Sequence, residues 1–123
     1  MKNKYIVDGQ ELSEEVLVNS YRIALLMEEV TRKTVRDYFK DKWTPSCELL
    51  VNSQYESMRN FILNPNLNDF QNIIDHGNTI ELIVGMTKED KEDLYLKGMD
   101  AFADLSKEDQ KRVMELTQEI LNS

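Results

Sequence analysis

The sequence predicts a mainly α protein: a single helical domain over residues 1–123, built from five to six helices with at most a minor two-stranded β element. Three observations predict it. Apolar residues recur every three or four positions over most of the chain, the spacing of helices with one buried face. Ser13, Thr87 and Ser106 each precede acidic residues in the next turn, the arrangement that starts helices. Only four glycines and two prolines stand among 123 residues, with 41% hydrophobic and 31% charged side chains, which excludes a disordered or collagen-like chain.

Taken in order, Lys4-Tyr5-Ile6-Val7 is a short apolar run stopped by the turn pair Asp8-Gly9 and reads as a strand or extended arm. Ser13 caps a helix whose stripe is Leu17, Tyr21, Ala24, Leu25 and Glu28. That helix either runs on to Trp43 or breaks near Glu29–Thr34, where Thr31 or Thr34 would cap a second one buried through Val35, Tyr38 and Phe39. Thr44-Pro45-Ser46 marks a boundary, because proline suits the first turn of a helix and disfavours helix in the residue before it.

From Ser46 to Leu63 the set Leu50/Val51, Tyr55, Met58, Phe61/Ile62 predicts an amphipathic helix that Asn64-Pro65-Asn66 ends. Leu67 to His76 predicts a short helix burying Phe70, Ile73 and Ile74, with Gly77 just past its C-terminus. The β-branched run 79–84, closed by Gly85, is the best strand in the sequence and would either pair with residues 4–7 or lie as an extended segment tucked into the helical core. Two capped helices follow. Leu94, Met99 and Phe102 would supply the first buried face, and Val113, Leu116, Ile120 and Leu121 the second.

No apolar run approaches the ~18–20 residues of a membrane span, and Met1-Lys2-Asn3-Lys4 leads into no signal-peptide core, so a cytoplasmic protein without membrane contact is expected. One cysteine, Cys47, and one histidine, His76, cannot make an internal disulfide or a Cys/His zinc site. Asn64-x-Asn66-x-Asn68 alternates like a calcium loop but offers neutral ligands and Asp69 where glycine is needed. Cys47 falls in a predicted first turn, where a thiol can be activated, yet a buried structural cysteine is the simpler reading. With no phosphate loop, nucleophile elbow or zincin motif, the expectation is a non-enzyme without metal or cofactor.

The net charge of -8 is unevenly placed. Residues 1–43 carry eight basic and eight acidic side chains, so the whole excess lies in residues 44–123, while Arg32–Lys42 alone holds five basic against two acidic. The acidic part gives the leading expectation: a small interaction protein that binds and regulates or inhibits another protein with a basic surface, one that handles nucleic acid. Small acidic helical inhibitors from phage or other mobile elements have this character. Glu89, Asp90, Glu92, Asp93, Asp100, Asp104, Glu108 and Asp109 would meet the partner.

The basic part gives the alternative. Val30-Thr31-Arg32-Lys33-Thr34-Val35-Arg36-Asp37-Tyr38-Phe39-Lys40-Asp41-Lys42, with Ile23-Ala24 upstream, resembles the turn and recognition helix of tetracycline-repressor-type regulators. The resemblance implies a helix-turn-helix regulator that presents Thr31, Arg32, Lys33, Thr34 and Arg36 to DNA from the segment 31–42. It also implies a homodimer through the C-terminal helices. It departs from that family at Glu28-Glu29, which stand where the turn usually has glycine. The plainer reading of the same stretch is the solvated basic face of a helix, and Trp43 reads first as a core or hinge residue.

Overall fold

A computed structural model of the chain describes residues 4–7 and 9–122, with side chains left aside at 116–117 and 119–122. Its order is β1 (Tyr5–Val7), β2 (Gln10–Leu12), α1 (Glu14–Leu26), α2 (Glu28–Phe39), α3 (Pro45–Leu63), α4 (Leu67–Val84), α5 (Lys88–Ala103) and α6 (Lys107–Asn122). The mainly α expectation holds, with six helices and one two-stranded antiparallel sheet.

The sheet is not the one the sequence suggested. β1 pairs with β2 through a tight turn, Tyr5 opposite Leu12 and Val7 opposite Gln10, and Gly9 takes the positive φ of 79° that the turn requires. Residues 79–84 are helical, the last third of α4. Strand propensity there loses to tertiary packing, because Ile73, Ile80 and Val84 fall on one helical face and all three are buried. Gly77 therefore lies inside a helix. Its missing Cβ lets α3 approach: a Cβ there would sit 3.2 Å from Gln54 Nε2, whose amide donates to the Ile73 carbonyl at 3.0 Å.

The break between the first two helices falls at Met27, earlier than either threonine. Thr31 and Thr34 both lie within α2, and the Thr34 hydroxyl donates to the Val30 carbonyl at 2.7 Å. The break frees Glu28 to accept from two guanidinium groups, Arg32 on its own helix and Arg59 on α3. Caps start the other helices as their residue types predict. The side chains of Ser13, Thr44, Asn66, Thr87 and Ser106 accept from Val16, Cys47, Asp69, Asp90 and Asp109 N–H groups respectively. The asparagine alternation at 64–68 is thus the loop and cap that start α4.

α3 and α4 form the most extensive helix pair. They run antiparallel, with Phe61 beside Phe70 at one end and Cys47 beside Val84 at the other. Around them the main core gathers Tyr5, Leu17, Val51, Tyr55, Met58, Phe61, Phe70, Ile73 and Ile80. Phe61 is its centre, meeting Tyr5 and Tyr21 edge-on at 5.7 and 5.3 Å between ring centroids, so one ring joins the hairpin, α1 and α3. A second cluster of Phe39, Cys47 and Val84 takes in Val35, Tyr38, Met86 and Leu94, and Trp43 packs against both. That makes Trp43 the joint between α2 and α3. Among the described residues no helix is long and apolar enough to cross a membrane.

α4 ends where Gly85 adopts φ 64° and ψ 43°, its N–H closing onto the last turn. An L side chain there costs about 1 kcal/mol. Gly85→Ala is expected to lower the unfolding free energy by about that amount, and Gly85→Asn by less, in urea titrations.

Candidate interaction face

α5 begins at Thr87, whose hydroxyl accepts from the Asp90 N–H at 3.1 Å while Asp90 Oδ2 accepts from the Thr87 N–H at 2.9 Å, a complete capping box. The helix then lies along α2. None of its side chains is fully buried. Its attachment is a row of smaller contacts: Leu94 against the second cluster, Lys91 Nζ 3.0 Å from Glu81 Oε1 on α4, and the Tyr38 hydroxyl of α2.

That hydroxyl lies 2.9 Å from Asp90 Oδ1 and 3.2 Å from Asp93 Oδ2, so its one proton serves two carboxylates. Lys97 closes over the same ring, 5.9 Å from its centroid. The hydrogen bond to Asp90, with desolvation and the two carboxylate charges, pushes the Tyr38 pKa up to about 12. Asp90 moves the other way. Its bond from the Thr87 backbone N–H, and then that from Tyr38, hold it below the ordinary carboxylate value.

With Asp90 and Asp93 turned to Tyr38, the remaining outward face of α5 carries Glu89, Glu92, Tyr95, Leu96, Met99 and Asp100, positions that three- and four-residue spacing brings together. Tyr95 is 71% exposed, Leu96 59% and Met99 54%. Met99 therefore does not supply the buried face that periodicity assigned it. Three consecutive apolar residues, Leu94-Tyr95-Leu96, cannot all point inward from one helix, and Leu94 takes the inward position. That triplet is the signal by which the outward apolar residues could have been found. Glu89, Glu92 and Asp100 make no ion pair among the described residues.

The rest of the expected acidic set continues past the end of α5. Asp104 is its exposed C-cap, and Glu108 and Asp109 are exposed in the first turn of α6, where they favour the helix dipole. The homodimer expectation rests partly on Leu116, Ile120 and Leu121, whose side chains lie outside the described residues. Val113 is half-buried.

The basic segment is arranged differently from the family it resembles. Val30-Thr31-Arg32, expected as a turn, is continuous helix within α2. Arg32 Nη2 meets Glu28 Oε1 at 2.8 Å and its guanidinium stacks over Tyr55, 5.4 Å from the ring centroid. Arg36 Nη1 is 3.4 Å from Glu48 Oε1, which also accepts from the Trp43 indole at 2.9 Å. Thr34 spends its hydroxyl on Val30. Thr31 and Lys33 are exposed, and Lys33 shares a cleft with Asp37 and Asp104. The five residues thus share a helix without forming one free basic surface.

Cys47 is buried beside Phe39 and Val84, while the His76 ring nitrogen bonds the Asn72 carbonyl of its own helix. The two are not brought together. Comparison with protein-family models, curated proteins and solved structures found no match for this chain.

A tyrosine whose pKa is raised in the folded state adds stability that is whole below its unfolded value and is lost as pH rises through the folded value. For Tyr38 that window runs from pH 10 to about 12. Wild-type protein is expected to lose thermal stability across that window more steeply than Tyr38→Phe. Parallel curves would contradict the bridge to Asp90 and Asp93.

Proposed function

We propose that this protein is a non-enzymatic interaction protein whose α5 face binds and regulates a partner protein with a basic surface, in particular one whose basic groove ordinarily takes nucleic acid. The single observation that carries this reading is the outer face of α5: Tyr95, Leu96 and Met99 stand in solvent, rimmed by Glu89, Glu92 and Asp100, which make no ion pair among the described residues. Large apolar side chains bounded by unpaired charge supply both parts of a protein interface. Aromatic and methionine anchors bury area, and a charged rim steers encounter and selects partners of opposite sign.

The carboxylates of this face make no ion pair among the described residues, unlike Asp90, which holds the helix in place. Carboxylates spaced along a helix can follow a groove lined by Lys and Arg, and the apolar residues between them give contacts that a polyanion lacks. The DNA-binding alternative has less support, because Arg32 and Arg36 already pair with Glu28 and Glu48 and α5 runs alongside their helix.

The test compares the wild type with a Glu89→Lys/Glu92→Lys/Asp100→Lys variant in affinity capture from native extract, across salt concentrations. A basic protein is expected on the wild type, released as salt rises, and reduced at least tenfold on the variant. Equal recovery on both, with the same salt dependence, would refute the reading. Retention of duplex DNA that Lys33→Ala/Arg36→Ala abolishes would favour the helix-turn-helix alternative instead.

A further inference from the structure

We propose that Tyr38 is an internal stand-in for the partner: it holds the Asp93 carboxylate in the free protein and yields it to a lysine or arginine of the partner when the outer face of α5 is occupied. The inference rests on the protein-binding reading and adds to it a further contact residue and its control. Asp93 stands where the inward and outward sides of α5 meet. It follows Glu89 by four positions and precedes Leu96 by three and Asp100 by seven, so these residues form one stripe along the helix. Asp93 is exposed, whereas Asp90 is half-buried.

The two carboxylates are held unequally. Asp90 Oδ2 accepts from the Thr87 backbone N–H at 2.9 Å, its Oδ1 accepts from the Tyr38 hydroxyl at 2.9 Å, and Lys42 adds a nearby positive charge. For the Asp93 side chain the Tyr38 hydroxyl is the one partner among the described residues, at the longer distance of 3.2 Å. Lys97, one turn on, lies over the Tyr38 ring and forms no ion pair with Asp93. A hydroxyl has a single proton, so it satisfies one carboxylate fully at a time. When Asp93 turns away, that proton stays with Asp90, no buried group is orphaned, and α5 keeps its orientation. A partner's ammonium or guanidinium brings the attraction of a full charge, which a neutral hydroxyl does not. The exchange therefore runs toward the partner at small cost to the fold, and it joins Asp93 to Glu89 and Asp100 beside the exposed Leu96.

Decalysine is titrated at low salt into isotope-labelled wild-type protein while the side-chain carboxyl resonances of α5 are followed by NMR. The Asp93 resonance is expected to move saturably with those of Glu89, Glu92 and Asp100, while that of Asp90 stays. Asp93→Asn is expected to weaken decalysine binding about two- to fivefold, the scale of one exposed ion pair. Glu56→Gln, which removes an equal charge from the exposed side of α3, is expected to leave it unchanged. Tyr38→Phe removes the internal competitor and is expected to bind about threefold tighter, a gain that disappears when Asp93→Asn is added. A Tyr38 that served only to brace the helix would instead give weaker or equal binding when replaced. Decalysine binding that Glu89→Lys/Glu92→Lys/Asp100→Lys does not reduce would refute the protein-binding reading, and this inference with it. Binding that the triple variant loses, but with an unmoved Asp93 resonance, no gain from Tyr38→Phe, or Asp93→Asn equal to Glu56→Gln, would overturn this inference alone.

Discussion

The Tyr38 hydroxyl is the contact on which the functional geometry turns, because α5 buries no side chain completely and must be held by polar contacts at its edge. Hydrophobic burial alone would let such a helix roll about its axis. The hydroxyl prevents this by engaging Asp90 and Asp93 together, two carboxylates three residues apart on one side of the helix. Fixing that side inward leaves Tyr95, Leu96 and Met99 outward. The capping box shares Asp90 with the same bridge, so the start of α5 and its rotation are set by one carboxylate.

The charge asymmetry of the sequence takes on a spatial meaning. The acidic excess and the basic segment are not opposite poles of the molecule, for α5 lies along α2. Both arginines of the basic segment are used internally: Glu28 takes Arg32, together with Arg59 of α3, and Glu48 takes Arg36. The outer carboxylates Glu89, Glu92 and Asp100 of α5 have no such partners among the described residues. From α2 it is the Tyr38 hydroxyl, not a basic side chain, that reaches the carboxylates of α5.

Much of the helical architecture was legible in residue types. Ser13, Thr87 and Ser106 announced their helices because a hydroxyl acceptor followed by acids solves the unpaired N–H problem locally, with no help from the rest of the chain. Pro45 and the Tyr55/Met58/Phe61 stripe did the same for α3. What failed depended on distant packing. Residues 79–84 have strand-forming side chains, and only the match of Ile73, Ile80 and Val84 to α3 makes them helical. Gly77 read as a terminus because its purpose, close approach to Gln54, involves a residue 23 positions away. In the candidate face the carboxylates were visible from composition, but Asp90 could not be separated from Glu89 and Glu92 without Tyr38, 52 positions upstream. Met99 was misplaced for a related reason, since a periodicity gives the inward face of a helix only once one anchor is known.

The orientation of α5 is the claim on which the functional reading rests, and hydroxyl-radical footprinting of the free protein at neutral pH tests it most directly. Tyr95 and Met99 are predicted to oxidise as solvent-exposed side chains do, while Met58, Phe39 and Cys47 are protected. Protection of Met99 to the level of Met58 would mean that α5 turns its apolar residues inward, and would contradict the account.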